Sequence, residues 1–458
     1  MKKFSLTLIF LIPLIVYSQQ SSNSSSELDY VWKNVGHEGF SDGGARYVSL
    51  VFSSVGQPFV VCKDWGYSGK ASVLKFDGIN WNYVGMPGFS KDTVEYTKLA
   101  LSPSGIPYIA FQDWAYSKKA SVMKFDGSNW VYVGSPGFSE EIVVSTNLTF
   151  SQSGELYATF SNILPNAYDQ GKVMKFDGKN WVSVGGSFST SLATDISVLC
   201  NPTNGQPYVA FEDWTDSAKA TVKKFNGTNW VDVGKPGISN GEAGFTSFAF
   251  SPAGQPYIVY ADQSDSYKAT VKKFDGNSWV NVGSPGFTPR TAWFTSIAIS
   301  HSGVPFLAFW DWDQSLKATV MRFDSKEWVD LGSTGFSKGE AAYLSLALSK
   351  DGKPYLAYSD GENDFKVTVM KFDSVFQESN YFSMHIFPNP ATNKITIELS
   401  GKQMVRNLVI VNVQGQPVLT QLSTEPITQI DISSLPAGVY FVRLTNDKTV
   451  GVGKIIKE

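Results

Sequence analysis

A segment of eleven residues recurs through most of this chain. It is first complete at residues 75–85, where it reads Lys-Phe-Asp-Gly-Ile-Asn-Trp-Asn-Tyr-Val-Gly, and it returns in full or edited form five more times. Its tryptophan occurs seven times, at steps of 49 residues with a single step of 51: Trp32, Trp81, Trp130, Trp181, Trp230, Trp279 and Trp328. A fixed period of this length indicates an array of similar units, each of which buries its apolar surface against its neighbours.

The two ends of the array are complementary halves of one unit. Trp32 has no Phe-Asp pair before it, whereas Phe372 and Asp373 have no tryptophan after them. If the first strand pairs with the last, seven whole units result and no strand edge stays open. The sequence therefore predicts a closed ring, with residues 30–35 beside residues 367–372.

Each unit is predicted to contain four short strands. In the first unit they are residues 47–53, 59–64, 70–77 and 81–84, separated by turns rich in Gly, Pro and Asn. Along the first strand a large apolar residue is followed by a mostly small one in every unit, and neighbouring strand residues face opposite sides of a sheet. The large residues are Leu50, Leu99, Leu148, Val198, Phe248, Ile297 and Leu346. The pattern predicts an all-β fold, a seven-bladed β-propeller with four-stranded blades over residues 30–373.

The N-terminal segment is predicted to direct secretion. Lys2 and Lys3 precede an apolar run at residues 4–16, which is typical of a signal peptide cleaved after Ser18. The run is too short to span a membrane, and no other stretch is long enough, so we expect no transmembrane span. Residues 19–29 are rich in Ser and Asn and are interpreted as a flexible leader.

The period disappears after a predicted linker at residues 374–385. Residues 386–458 contain short alternating strands and Gly/Pro turns, which favour a small Ig-like β-sandwich. Three motifs, Phe-Pro-Asn-Pro at 387–390, Leu-Pro-Ala-Gly-Val-Tyr-Phe-Val-Arg at 435–443 and the basic end at 454–458, resemble the type A C-terminal sorting domain of the type IX secretion system. The resemblance implies contact with that secretion machinery and a secreted or outer-surface location.

Composition argues against several other classes of protein. The net charge of −3 and the pI of about 5.8 leave no basic surface for nucleic acid. Cys62 and Cys200 fall in the first and fourth units, so they are predicted to be isolated thiols rather than a disulfide. The three histidines, His37, His301 and His385, occupy non-equivalent positions and do not form a metal set.

No cofactor or catalytic residue is predicted. The acidic segments at 311–313 and 360–364 would suit calcium only weakly, because they lack the ligand spacing of a calcium-binding loop, and solvated turns are favoured. The repeated Asp-Gly-x-Asn-Trp resembles the Asp-box hairpin of sialidases. It lacks one residue between Asp and Trp, however, and the array lacks an arginine cluster.

An aspartate ends the second strand of six units, with a lysine six positions later. The third unit has Asn162 and Gln170 at these places, so it loses both groups together. The joint loss predicts an ion pair across the hairpin. The six aspartates are Asp64, Asp113, Asp213, Asp262, Asp311 and Asp360.

A tryptophan follows this aspartate in four units and is absent from three, so the fold does not require it. Exposed indole rings stack on sugars, and nearby carboxylates and hydroxyls bind sugar hydroxyl groups. We therefore expect ligand contacts from these tryptophans, from the preceding aspartates and from hydroxyls such as Ser90 and Ser139 in the loops between units. The candidate ligand-binding residues are Trp65, Trp114, Trp214, Trp312, Asp64, Asp113, Asp213 and Asp311. The phenylalanines of the loops between units are interpreted as packing between blades.

The sequence favours a secreted or cell-surface propeller that binds an extracellular glycan or another surface polymer. One alternative is a polysaccharide-degrading enzyme, which needs a pair of carboxylates that the repeat does not supply. The other alternative is a scaffold for protein–protein interaction.

Overall fold

The computed structural model describes residues 29–163, 170–375, 383–400, 407–421, 427–445 and 450–458. The predicted signal peptide and almost all of the predicted leader lie outside the described residues. The chain forms two compact units, one at Tyr30–Asp373 and one that contains the described residues from Ser374 onward.

The first unit consists of seven four-stranded antiparallel sheets, here called blades 1 to 7. Blade 1 contains β2 (Ala45–Phe52), β3 (Pro58–Asp64), β4 (Lys70–Phe76) and β5 (Trp81–Tyr83). Blade 2 contains β6 (Val94–Leu101), β7 (Pro107–Asp113), β8 (Lys119–Phe125) and β9 (Trp130–Tyr132). Blade 3 contains β10 (Ile142–Phe150), β11 (Leu156–Ile163), β12 (Gln170–Phe176) and β13 (Trp181–Ser187). Blade 4 contains β14 (Ala193–Cys200), β15 (Pro207–Asp213), β16 (Lys219–Phe225) and β17 (Trp230–Asp232).

Blade 5 contains β18 (Ala243–Phe250), β19 (Pro256–Asp262), β20 (Lys268–Phe274) and β21 (Trp279–Asn281). Blade 6 contains β22 (Ala292–Ile299), β23 (Pro305–Asp311), β24 (Lys317–Phe323) and β25 (Trp328–Asp330). Blade 7 contains β26 (Ala341–Leu348), β27 (Pro354–Asp360), β28 (Lys366–Val375) and the N-terminal strand β1 (Asp29–Asn34), which lies beside β28. The predicted fold class, strand number and strand order within a blade are confirmed.

Packing between blades depends on the repeated residues. The large residue predicted on the first strand is buried in all seven blades. Each repeat tryptophan donates its indole N–H to a backbone carbonyl of the preceding blade, at 2.7–2.8 Å. In five blades the loop phenylalanine stacks on that indole, with ring centroids 4.1–4.7 Å apart. These phenylalanines therefore pack between blades, as predicted.

The first strand of every blade contains a β-bulge. One non-glycine residue at each bulge has a left-handed backbone with φ between 47° and 54°. These residues are Tyr47, Tyr96, Ser145, Asp195, Phe245, Phe294 and Tyr343, and they line a cavity of about 280 Å³ to which all seven blades contribute. Hydrogen bonds connect the inner strands of neighbouring blades. One example is the backbone N–H of Leu50 in blade 1, which donates to Ser345 Oγ in blade 7 at 2.9 Å.

The second unit contains two small sheets. One is formed by β29 (Ser383–Phe387), β30 (Lys394–Ser400) and β33 (Ile427–Asp431). The other is formed by β31 (Asn407–Val411), β32 (Pro417–Gln421), β34 (Gly438–Thr445) and β35 (Val450–Lys457). Their shared core includes Ile395, Ile397, Leu408, Ile410, Val442 and Ile455. The sequence predicts strands at residues 394–399, 408–413, 428–432 and 439–444, which correspond to β30, β31, β33 and β34, but it does not predict β29, β32 or β35.

The first and last predicted motifs of this unit meet in the structure. The Asn389 side chain accepts a hydrogen bond from the backbone N–H of Ile456 at 2.9 Å and donates to the carbonyl of Lys454 at 2.8 Å. The Phe-Pro-Asn-Pro segment is thereby attached to the C-terminal strand. None of the helices in the described segments has the length and apolar character that crossing a membrane requires.

Candidate functional site

The repeat aspartates cap short turns at the end of the second strand. Each carboxylate accepts a hydrogen bond from the backbone N–H two residues later, at 3.0–3.2 Å, and so begins a single turn of 3₁₀ helix. The six turns are Trp65–Tyr67, Trp114–Tyr116, Trp214–Asp216, Gln263–Asp265, Trp312–Gln314 and Gly361–Asn363.

The four candidate aspartates are only 0–9% exposed: Asp64, Asp113, Asp213 and Asp311. Burial raises the pKa of Asp64 and of Asp113, although the hydrogen bonds they accept act in the opposite direction. These carboxylates are engaged in presenting the tryptophans. The structure therefore does not place them as free groups for a ligand.

The predicted ion pair between repeat aspartate and lysine does not form. Asp64 and Lys70 are register partners, but the Asp64 carboxylate bonds to the backbone N–H groups of Gly66 and Gly43 and to the Tyr83 hydroxyl. The ion pairs between described residues include none that joins a repeat aspartate to the lysine six positions later. The prediction was wrong because local N–H donors in the turn satisfy the carboxylate first.

The four candidate tryptophans are exposed at one end of the blades. Trp65 is 51% exposed, Trp114 41%, Trp214 49% and Trp312 48%. Each follows the second strand of its blade, and equivalent strand ends lie on the same side of a propeller. We call this side the tryptophan face.

Neighbouring side chains contact each indole, at its N–H edge or over its ring. Trp114 Nε1 donates to Gln112 Oε1 at 3.1 Å, and Trp214 Nε1 donates to Thr194 Oγ1 at 2.9 Å. The Lys63 ammonium lies 4.7 Å from the centre of the Trp65 ring. Trp312 meets the Trp293 ring edge to face, with centroids 5.8 Å apart. The rings are thus oriented by the protein while much of their surface stays accessible.

The loop residues Ser90 and Ser139 are buried, and their hydroxyl groups form hydrogen bonds with backbone groups. Their Oγ atoms accept from the N–H groups of Ala71 and Ala120 at 3.0 Å and donate to the carbonyls of Asp92 and Glu141. The structure therefore does not bring these hydroxyls to the tryptophan face as ligand contacts.

A cavity of about 630 Å³ opens on this face and is lined by residues of blades 1, 5, 6 and 7. We call it the aromatic cavity; Arg46, Trp65, Trp293, Trp310, Glu340 and Tyr343 are among its lining residues. The Trp293 and Trp310 centroids are 5.4 Å apart, and Phe294 joins Trp310 to Tyr343 through contacts of 5.3 and 5.2 Å. Trp65 is the one candidate tryptophan in the lining, and Trp312 reaches it through Trp293. Trp114 and Trp214 lie elsewhere, on blades 2 and 4.

Sequence reasoning missed Arg46, Trp293 and Trp310. Their repeat positions carry a different residue in nearly every blade: Arg46 and Trp293 correspond to Glu95, Val144, Thr194, Gly244 and Ala342. Variation at these positions, in an array that is otherwise regular, was the sequence signal that could have identified them as candidate functional residues.

A pair of carboxyl groups lies close to Trp214. Asp195 and Glu212 share a side-chain hydrogen bond, and burial raises the pKa of both groups, that of Glu212 to about 10. One proton is therefore retained by the pair at neutral pH. Thr194 Oγ1 donates to Glu212 Oε2 at 2.6 Å and accepts from Trp214, so the pair is coupled to an exposed indole.

This pair does not come from the repeat, but its geometry differs from that of a glycosidase. The two catalytic carboxyls of such an enzyme stand about 5 Å or more apart, with space for sugar or water between them. Asp195 and Glu212 are in direct hydrogen-bond contact. Within the described parts of the chain, no group of three or more His, Cys, Asp or Glu side chains is arranged to hold a metal ion. Cys62 and Cys200 are both free thiols.

Comparison with known proteins bears on the second unit, whose terminal motifs meet at Asn389. Residues 385–458 match the model of the secretion system C-terminal sorting domain. The protein is thus secreted or attached to the outer cell surface, and its sorting domain is the part that contacts the secretion machinery. No curated protein matches the sequence.

Three solved structures have weak similarity to the chain. PorZ, a surface component of the type IX secretion system of Porphyromonas gingivalis, has 14% identity and a TM-score of 0.45, covering 91% of this chain and 59% of PorZ. An ulvan lyase has 12% identity and a TM-score of 0.49, covering 76% and 96%. The lectin of Aleuria aurantia has 14% identity and a TM-score of 0.44, covering 65% and 97%. These values are too low to carry a function to this chain.

Proposed function

We propose that this protein is a glycan-binding propeller that acts outside the cell and binds its ligand on the tryptophan face. The observation that carries the proposal is the exposure of four indole rings, each presented by an aspartate-capped turn at the same end of its blade. Exposed aromatic surface is unfavourable in water, so a repeated, oriented set of such rings favours a binding role.

The chemistry of the face suits a sugar. An indole offers a flat apolar surface to the C–H face of a pyranose ring, while its N–H group is already bonded within the protein in blades 2 and 4. The aromatic cavity adds charged groups, Arg46 and Glu340, that can bond to sugar substituents. Its volume of about 630 Å³ lies within the usual range for small-ligand sites.

The test is a glycan array with the wild-type protein and with a variant in which Trp65, Trp114, Trp214 and Trp312 are changed to alanine. We expect saturable binding by the wild type, loss of binding by the variant and a similar melting temperature for both. The matched control is Val55→Ala with Ile79→Ala, because these residues are 84% and 76% exposed in turns at the opposite ends of the strands. The proposal fails if the tryptophan variant still binds or if it unfolds.

The two alternative functions give different results in the same set of assays. A polysaccharide-degrading enzyme would release reducing ends from the bound glycan. A protein scaffold would bind its partner on this face without competition from free oligosaccharide. Asp195 and Glu212 are in contact, whereas the two catalytic carboxyls of a glycosidase are separated by about 5 Å or more. We therefore expect binding without cleavage.

A further inference from the structure

We infer that the aromatic cavity recognises a sugar residue that carries a carboxylate or sulfate group, and that Arg46 binds this anionic group. The inference rests on the proposed function and specifies the class of glycan. It begins from the charge arrangement on the two inner strands of blade 1, where Arg46 on β2 is the register partner of Lys63 on β3.

Two positive side chains in register are unfavourable unless counter-charges are supplied. Lys63 has one, because its ammonium lies 2.6 Å from the Glu95 carboxylate. Arg46 is exposed and makes no ion pair with any residue in the described segments of the propeller. Arg46 therefore lines the cavity without a direct ion-pair partner among the described residues.

The surroundings of Arg46 favour an anion attached to a sugar ring over a free ion. A guanidinium binds a carboxylate or a sulfate through two parallel hydrogen bonds. Trp65 and Trp293 line the same cavity and supply flat surfaces for the ring. Trp310 also lines the cavity, and its buried indole N–H has no hydrogen-bond partner.

Two carboxylates line the cavity as well, and they make the inference testable. Glu340 and Asp364 belong to loops of blade 7, whereas Arg46 extends from the inner strand β2. A neutral sugar would use Glu340 as an acceptor for its hydroxyl groups. An anionic sugar would be repelled by Glu340, so removal of that charge has opposite consequences for the two classes of ligand.

The experiment measures binding of the full chain to two matched pairs of polymers. The first pair is polygalacturonate and its carboxyl-reduced form, and the second is dextran sulfate and dextran. We expect the wild type to bind one or both anionic members about tenfold or more tightly than their neutral partners. The pair that shows the difference identifies carboxylate or sulfate as the group bound.

Three variants assign the preference to this cavity. Arg46→Gln should abolish the difference between anionic and neutral members, and Glu340→Gln should raise affinity for the anionic member several-fold. The control is Arg322→Gln, an arginine on β24 that does not line the cavity, and it should behave like the wild type. Melting temperatures of all variants establish that they are folded.

The remaining outcomes overturn the inference. An Arg46→Gln variant that keeps the preference, or a Glu340→Gln variant that loses affinity, would show that this cavity does not read an anionic group. A wild type that binds neutral glycans on the array but neither anionic polymer would disprove the inference and leave the proposed function intact. A wild type that binds no glycan at all would disprove the proposed function itself.

Discussion

The indole N–H of Trp32 donates a 2.8 Å hydrogen bond to the backbone carbonyl of Leu331, which lies 299 positions later in the chain. The same indole stacks on Phe336, with centroids 4.2 Å apart, and it is 9% exposed. The N-terminal strand is thus held by blade 6 as well as by its own blade.

We predict that removal of the N-terminal strand destabilises the whole array. Deletion of residues 28–36 removes Trp32, whose burial alone is worth about 3–5 kcal/mol, so the melting temperature should fall by about 5 °C or more. Deletion of residues 19–27 is the control and should have no effect. An unchanged melting temperature in the first deletion would contradict closure of the array by this strand.

Two tryptophans of blade 2 should respond differently to truncation. Trp130 is 8% exposed, stacks on Phe89 and donates to the carbonyl of Val84 at 2.7 Å, so Trp130→Ala should cost about 3–5 kcal/mol. Trp114 is 41% exposed, so Trp114→Ala should cost about 1 kcal/mol. Denaturant unfolding of both variants measures these values. Equal losses would show that Trp114 is packing rather than binding surface.

The carboxyl pair predicts a stability that decreases as pH rises. The folded chain retains a proton on Asp195 and Glu212 that the unfolded chain releases above about pH 4.3, the ordinary pKa of glutamate. The contribution of the pair is therefore most favourable below that pH. It weakens as pH increases toward the folded pKa of about 10, by at most about 1.4 kcal/mol per pH unit.

Glu212→Gln keeps a hydrogen-bonding side chain that does not titrate. The slope of unfolding free energy between about pH 5 and pH 9 should become flatter in this variant. Asp265→Asn changes an exposed carboxylate and should keep the wild-type slope. A Glu212→Gln variant with an unaltered slope would show that the pair does not retain its proton.

The sorting domain should be dispensable for folding and necessary for delivery. A chain that ends at Asp373 retains all seven blades, so its melting temperature should match that of the propeller in the full protein. In the native host it should fail to reach the outer surface, as measured by protease accessibility on intact cells. Surface exposure of the truncated chain would contradict the export assignment.

The repeated parts of the fold were predictable from sequence because the same physical contact is encoded seven times. Trp81 and Phe40 are members of series that recur in most blades, and their spacing predicted strands, packing and blade number. The strands that the sequence did not predict, β29, β32 and β35, all belong to the second unit. The strand Pro417–Gln421, for example, lacks a regular alternation of buried and exposed residues.

The aromatic cavity was not predictable in the same way. Arg46 and Trp310 are far apart in the chain and line the same cavity only because their blades lie near each other in the folded propeller. The repeat period does not predict that these residues lie near each other, because each of them differs from the equivalent residues of the other blades. The predicted ion pair between the repeat aspartate and lysine was wrong because the sequence pattern does not show which groups bond to the carboxylate. Correlated loss of Asp and Lys in the third unit suggested a pair, whereas the carboxylates bond to local backbone N–H groups.

At the left-handed position of each inner strand, the backbone conformation is nearly the same although the side chain differs between blades. Seven equivalent positions share nearly one backbone angle, yet they carry Tyr, Tyr, Ser, Asp, Phe, Phe and Tyr. A backbone that tolerates four different side chains at one strained position does not depend on any of them. A duplicated blade can therefore keep the scaffold while a single codon change alters one sector of the central surface. In this way an ancestral array of identical units can acquire an asymmetric recognition surface without a new fold.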